Sequence, residues 1–430
     1  MGTNPNTMTF KTVFSAEYQM SHFREPVYQI LADTRLESQL TKGQTIARSY
    51  ASDVQVNDMG GDGSYVVQAI TDTQETLVIN KEKEASIYVK DLDLMQAHLP
   101  VQQKYGRKLA NALINQIDGD VLLAAYQGAG TTLDDGSFSG TSGNGFTVTA
   151  SNVATAFITA MQRLRLKNVV YNRRFQGGMK LEVPEGMPIA IISPEILGYI
   201  ELYLGGKDTN LGDQTSQNGY SGYFHGFNLF VSNSLAWTGS LALATNPTAN
   251  DTVTINGVTF TFVATPANPG EVDIGADADA TRILLARAIN NTGGYAAGAG
   301  SATDYFEVSA ANRRLLKNIT ATDNATPNTM TVVASGWGTV TVSETLTAAA
   351  DVWTTTLQKL HCLFALSKSV SLVVQKQPSL TQRPSPEARI GDDYIAWTVY
   401  GIKVFTDQAP QIVDLAVNSS SFVAAATNPK

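Results

Sequence analysis

Three kinds of apolar spacing alternate along the chain. In PVQQKYGRKLANALINQIDGDVLLAAYQ, residues 100–127, apolar side chains at Leu109, Leu113, Ile117, Val121 and Ala124 fall on one helical face. Pro100 and Gly128 are the expected punctuation of a long helix, about 40 Å at 1.5 Å per residue. Gly106 and Gly119 each cost about 1 kcal/mol relative to alanine inside it, so a bend or a close backbone neighbour is expected at those positions. Helical spacing also appears at Phe23, Val27, Ile30 and Leu31 around Pro26, and over 153–166 with Phe157, Met161 and Leu164 on one side.

Extended patterns fill much of the remainder. From Ile46 to Val89 the chain reads as a long β-arm, with Leu77-Val78-Ile79 and Ile87-Tyr88-Val89 as strand runs and a glycine-rich tip over 57–63. Such an arm buries little against its own domain, so a partner chain is expected to order it. The run 189–192 is a buried strand leading through a Ser193 N-cap and Pro194 into a helix carrying Ile196, Leu197 and Ile200. Strands are expected again over 223–235, in LQKLHCLFALSKSVSLVVQ from Leu357, and from Tyr394 to Phe405.

The third pattern is the sharpest. In DTVTINGVTFTFVA, residues 251–264, Val253, Ile255, Val258, Phe260 and Phe262 alternate with threonines about Asn256-Gly257, the signature of a hairpin with a type I′ turn. Strand signals at 272–274, 305–309, 330–333 and 340–342, with a helix from Ala278 to Asn290, complete an α+β module. The hairpin is expected to bury Val253, Ile255, Phe260 and Phe262 against Ile283, Leu284, Ala288 and Ile289 of that helix. From Thr238 to Thr355 there are five basic and ten acidic residues, so most of the net charge of −8 sits in this quarter. An independent, solvated, outward-facing domain is the expectation.

A chain of 430 residues exceeds what one core sustains, and two or three domains are expected. Hydrophobic content of 43% and charged content of 16% exclude gross disorder. The one cysteine, Cys362, cannot form an intrachain disulfide and reads as a buried inert thiol. The first residues, MGTNPNTMTF, carry no secretory signature, and no stretch approaches the ~18 apolar residues of a membrane span, so a cytoplasmic protein without a membrane partner is expected. Net negative charge weighs against free duplex DNA as the main partner.

Catalytic and metal signals are weak. His22, His98, His225 and His361 are dispersed, with no ligand-like spacing, and read as structural. Asp277-Ala278-Asp279 resembles the start of a calcium loop but lacks its glycine and closing glutamate, and acidic residues at a helix start explain it. No cofactor, metal or catalytic group is expected. Arg163, Arg165, Lys167, Arg173, Arg174 and Lys180 form a cationic run without an acidic residue, read either as a solvated helix end and loop or as a polyanion contact.

The order of these pieces resembles the major capsid proteins of tailed bacteriophages, whose fold is named after the Hong Kong ninety-seven phage and is shared with encapsulins. The resemblance rests on the β-arm and long helix at 46–127, the strand, cap and helix at 189–200, Tyr223-Phe224-His225-Gly226-Phe227 with Val231-Ser232-Asn233, and the closing 394–417 segment. It implies an α+β phage capsid fold with an N-terminal arm (1–45), an extended β-loop (46–92), a spine helix with part of the peripheral domain (93–150) and part of the axial domain (151–237). The inserted α+β domain (238–355) follows, then the axial return (356–376), the peripheral return (377–417) and a tail (418–430). The implied function is an icosahedral shell of hexamers and pentamers around double-stranded DNA, assembled in a bacterial cytoplasm with portal and scaffolding proteins and a decoration protein. A separate scaffold is expected because the arm begins within about the first ten residues. Met59, Gly60, Gly61, Asp62 and Gly63 are the expected intersubunit contacts, and the cationic run is the expected DNA-facing set. An encapsulin-like compartment and a surface adhesin or carbohydrate-binding protein are the alternatives.

Overall fold

The computed structural model describes residues 26–39, 43–51, 54–60, 63–70, 72–91, 101–167, 169–170, 186–207, 222–293, 304–385, 390–420 and 422. In chain order these form α1 (Tyr28–Leu31), β1 (Ala32–Asp33), β2 (Thr45–Ala51), β3 (Asp72–Val78), β4 (Lys81–Lys90), the long helix α2 (Val101–Gln127) and β5 (Thr131–Leu133). Next come α3 (Val153–Leu166), β6 (Pro188–Ile192), α4 (Pro194–Gly205), β7 (Tyr223–Phe224), β8 (Phe227–Val231) and β9 (Trp237–Ala242). Then follow β10 (Thr252–Ile255), β11 (Val258–Val263), β12 (Glu271–Asp273), α5 (Ala278–Asn290), α6 (Ala310–Leu315), β13 (Ile319–Asn324), β14 (Thr329–Ala334) and β15 (Val342–Glu344). The chain closes with β16 (Lys359–Leu366), β17 (Val370–Pro384), β18 (Gly391–Lys403) and β19 (Ile412–Asn418).

Among the described residues, nine strands share one sheet whose trunk is β16. One side of β16 pairs with β19, which adds β5, while the other side is divided between β6 at residues 363–366 and β9 at residues 359–360. The sheet therefore forks: β6 leads to β8 and β7, and β9 leads to β14 and β13. The apolar run LHCLFAL is buried from Leu360 to Leu366, as a strand covered on both faces requires. Helix α3 lays Phe157 edge-on against Phe224 and Phe364 at 5.0 and 4.8 Å between ring centroids. Ser193 caps α4 by accepting from the Ile196 amide, with Pro194 at the first helical position, as the sequence predicts.

The hairpin of β10 and β11 also forms as expected. Asn256 and Gly257 take φ of 50° and 77°, and Val253, Ile255, Val258, Phe260 and Phe262 are all buried. With β12 and β15 these strands make a separate four-stranded sheet. The helix opposite shows a different face. Thr281, Arg282, Leu285, Ala288 and Ile289 of α5 point inward, while Ile283 is exposed. The cause is Arg282, fully buried because its guanidinium pairs with Asp279 and Asp323 and donates to the Leu243 carbonyl.

The expectation of a separately cored, freely removable insertion needs correction. Strands β13 and β14 do not close on the hairpin but continue the nine-stranded sheet through β9, and one hydrophobic core runs from Phe157 and Phe364 to Phe260 and Ile289. The outer strand β13 is covered by α5, whose Asn290 side chain donates to the Ala321 carbonyl (2.7 Å) and accepts from the Ala321 amide (2.8 Å). Part of the acidic surplus is structural. Asp251 and Asp351 are buried and hold loop amides, Asp277 caps α5 and Asp304 pairs with Arg287.

The second sheet runs β1, β17, β18, β4, and α2 packs across it with Leu109 and Leu113 against Tyr394 and Ala396. Strand β17 runs through residues 376 and 377, where the axial and peripheral returns were expected to part, and its pairing with β18 shifts register between Val374 and Ser379; β19 belongs to the large sheet. Gly119 meets the expectation of a close backbone: a Cβ there would stand 3.0 Å from Cα and N of Gly336. At Gly106 the neighbour is a side-chain methyl, Leu380 Cδ2 at 3.3 Å.

Candidate functional site: the arm and its exposed apolar loop

Strands β2 and β3 pair antiparallel from Thr45 opposite Val78 to Ala51 opposite Asp72. Their base is anchored by a small core of Ile46, Leu77 and Ile79 with Val373 and Phe405. Polar contacts reinforce it: Glu75 accepts from the Thr406 amide at 3.3 Å and from its hydroxyl, Lys403 Nζ donates to the Thr76 carbonyl at 2.9 Å, and Arg48 pairs with Asp407. The Thr406 hydroxyl, above all, holds the Glu75 carboxyl below its ordinary range.

Beyond the stalk the chain carries an apolar load without a core. Val54, Val56, Met59, Tyr65, Val66, Val67 and Ile70 are each at least 69% exposed. Local bonds shape this loop without covering it: Gln68 Nε2 donates to the Gln55 carbonyl (2.7 Å), Gln68 Oε1 accepts from the Gln55 amide (3.0 Å), and the Gly60 amide donates to the Ser64 carbonyl (2.9 Å). Full burial of such side chains is worth about 1.5–3 kcal/mol each, so docking the loop would release on the order of 10 kcal/mol or more. That is comparable with the 4–15 kcal/mol, roughly, that association costs.

Of the expected contact residues, Met59, Gly60 and Gly63 lie in this loop and are exposed, whereas Gly61 and Asp62 fall outside the described residues. The larger share of the exposed apolar surface lies on the limbs flanking the tip. Its signal stands in the sequence as VQV before the glycines and YVVQAI after them. Arg163, Arg165 and Lys167 are exposed at the carboxyl end of α3, where cations complement the helix dipole. Arg173, Arg174 and Lys180 fall outside the described residues.

The interior holds one arrangement that looks catalytic in outline. Thr238 Oγ1 lies 2.9 Å from His361 Nε2, and His361 Nδ1 lies 2.9 Å from Asp414 Oδ2. All three are buried between β9, β16 and β19, and the Tyr126 ring sits 3.7 Å from the imidazole, so the set ties three strands together at the fork of the sheet. Cys362 beside it is fully buried, and burial pushes its thiol up, as fits an inert side chain. No group of three or more His, Cys, Asp or Glu side chains among the described residues is placed to hold a metal ion. Among them too, no helix is long and apolar enough to cross a membrane.

No protein-family model and no curated protein matches the sequence. Solved structures do match in shape. A chain from Mycobacterium phage Che8 is 14% identical, with a TM-score of 0.54 over 95% of this chain and 97% of that one. A chain from the capsid structure of the cyanophage P-SCSP1u is 13% identical, with a TM-score of 0.52 over 95% and 93%. The forked sheet, the spine helix laid across the second sheet and the projecting arm therefore make up the fold of the tailed-phage major capsid proteins.

Proposed function

We propose that the chain is a major capsid protein, a structural and non-enzymatic subunit that assembles with copies of itself into the icosahedral shell of a tailed phage. The observation that carries this reading is the exposed apolar loop at 54–70, held out on a braced arm clear of the cores formed by the described residues. The fold shared with the cyanophage capsid chain supports the same reading. Hexamers and pentamers, assembly in a bacterial cytoplasm, and portal, scaffolding and decoration proteins as partners are the proposed setting. The exposed end of α3 is the proposed side for weak, sequence-blind contact with packaged DNA. Electron microscopy and sedimentation of the purified protein test the proposal. Closed shells or capsomers are expected, and deleting residues 57–63 is expected to leave a folded monomer that assembles poorly. A wild-type protein that stays monomeric with scaffold present, or a deletion variant forming normal shells, would overturn it.

A further inference from the structure

Residues 116–120 of the spine helix, QIDGD, touch five separate parts of the chain within little more than one turn. Asp118 Oδ1 accepts from the Val27 and Tyr28 amides, both at 2.9 Å, and so seats the segment that enters α1. Gly119 lets the backbone at Gly336 approach. Asp120 Oδ2 accepts from the Tyr400 hydroxyl at 2.7 Å and pairs with Lys81 Nζ at 3.1 Å, just past the arm base. Its other oxygen accepts from Gln116 Nε2 at 3.1 Å, and Gln116 Oε1 accepts from Asn318 Nδ2 at 2.9 Å. The chain of contacts Lys81, Asp120, Gln116, Asn318 thus runs from the arm, through the spine helix, to the segment before β13.

We infer that this relay couples the arm to the 238–355 segment, with the buried Gln116 amide as its two-position element. In the observed orientation Gln116 donates to a carboxylate and accepts from an amide. Turned over, it would set oxygen against oxygen and nitrogen against nitrogen, breaking both contacts at once. Displacing Lys81 from Asp120 therefore loosens the grip on Asn318, and displacing Asn318 loosens Asp120, since coupling between sites is reciprocal. The arm as a partner surface, proposed above, supplies the occasion for such a displacement. The coupling itself belongs to the single chain, so it is measured without assembly.

Hydrogen exchange on the unassembled full chain reads both ends. The Ile79 amide, donating to the Gln44 carbonyl at 2.8 Å, reports the arm base; the Ser335 amide, donating to the Asn318 carbonyl at 3.2 Å, reports the far end. Lys81→Met is expected to speed exchange at Ser335 as well as at Ile79, and Asn318→Gly to do the converse. Glycine suits the positive φ of 60° at position 318. Each remote effect should reach roughly fivefold, the low end of measured couplings. In a Gln116→Leu background the remote effects should vanish while the local ones remain. Because the coupling is reciprocal, either single variant suffices if the other fails to fold. Effects confined to the mutated side, or remote effects that survive Gln116→Leu, would overturn the inference.

Discussion

The same substitution at two glycines of one helix should have opposite effects. Gly→Ala inside a helix gains about 0.8–1.0 kcal/mol from propensity alone, and Gly106 and Gly119 both lie within α2. At Gly106 a Cβ would meet, among the described residues, only the end of the Leu380 side chain at 3.3 Å, and Leu380 is exposed enough to turn aside. Gly106→Ala should therefore stabilise by about 0.5–1 kcal/mol. At Gly119 the Cβ would stand 3.0 Å from two backbone atoms of Gly336, itself at φ 75°, so neither side yields without moving the strand end. Overpacking of that kind costs about 1–3 kcal/mol, which outweighs the propensity gain. Urea denaturation of the unassembled chain, followed by circular dichroism, should place the Gly106→Ala midpoint above wild type and the Gly119→Ala midpoint at or below it. Equal stabilisation by both would refute the close backbone contact between spine helix and insertion.

Four other outcomes follow from the described geometry. His361→Leu should destabilise by about 3–5 kcal/mol, because it strips Asp414 Oδ2 of its partner while Oδ1 already lacks one among the described residues; adding Asp414→Leu should restore part of the loss in equilibrium unfolding. Arg282→Met should cost about 3 kcal/mol, leaving Asp279, Asp323 and the Leu243 carbonyl without their shared cation, with the earliest loss of exchange protection in α5 and β13. The Glu75 carboxyl is held low in the folded state, so its contribution is present above the ordinary glutamate range and fades as pH falls through the folded value. Proteolysis at the arm base should accelerate on acidification, and Glu75→Gln should flatten that response. Excising residues 238–355 should give an insoluble parent, because it removes most of β9 and bares the edge of β16; a soluble, cooperatively folded product would refute the shared core.

Local chemistry made some elements legible and left others hidden. Asn256-Gly257 fixed its hairpin because the turn requires two positive φ angles and the strands have strict alternation. Ser193-Pro194 marked a helix start in the same way. Strand β13, ITATDN in sequence, carries only two buried side chains and was missed, since its covering helix is remote in sequence. The inward turn of Arg282 was equally invisible: burying a guanidinium depends on two carboxylates and a carbonyl that periodicity does not report. The arm was legible as extended chain, with its contact expected at the glycine-rich tip. The exposure of Val54 through Ile70 appears only when the stalk is seen to hold them clear of any core.

The treatment of strand ends bears on crowding. A protein proposed to gather many copies at high local concentration gains from closing its sheet borders, because each unpaired ladder invites another chain in any register. Here β7, β5, β1, β12 and β15 are only two to three residues long, β4 begins with Lys-Glu-Lys-Glu, and β13 meets the Asn290 amide where a further strand would bond. Side-by-side polymerisation is thereby disfavoured at those borders. If the loop at 54–70 is the contact proposed above, its position is set by the stalk, and growth by regular addition is favoured over tangling.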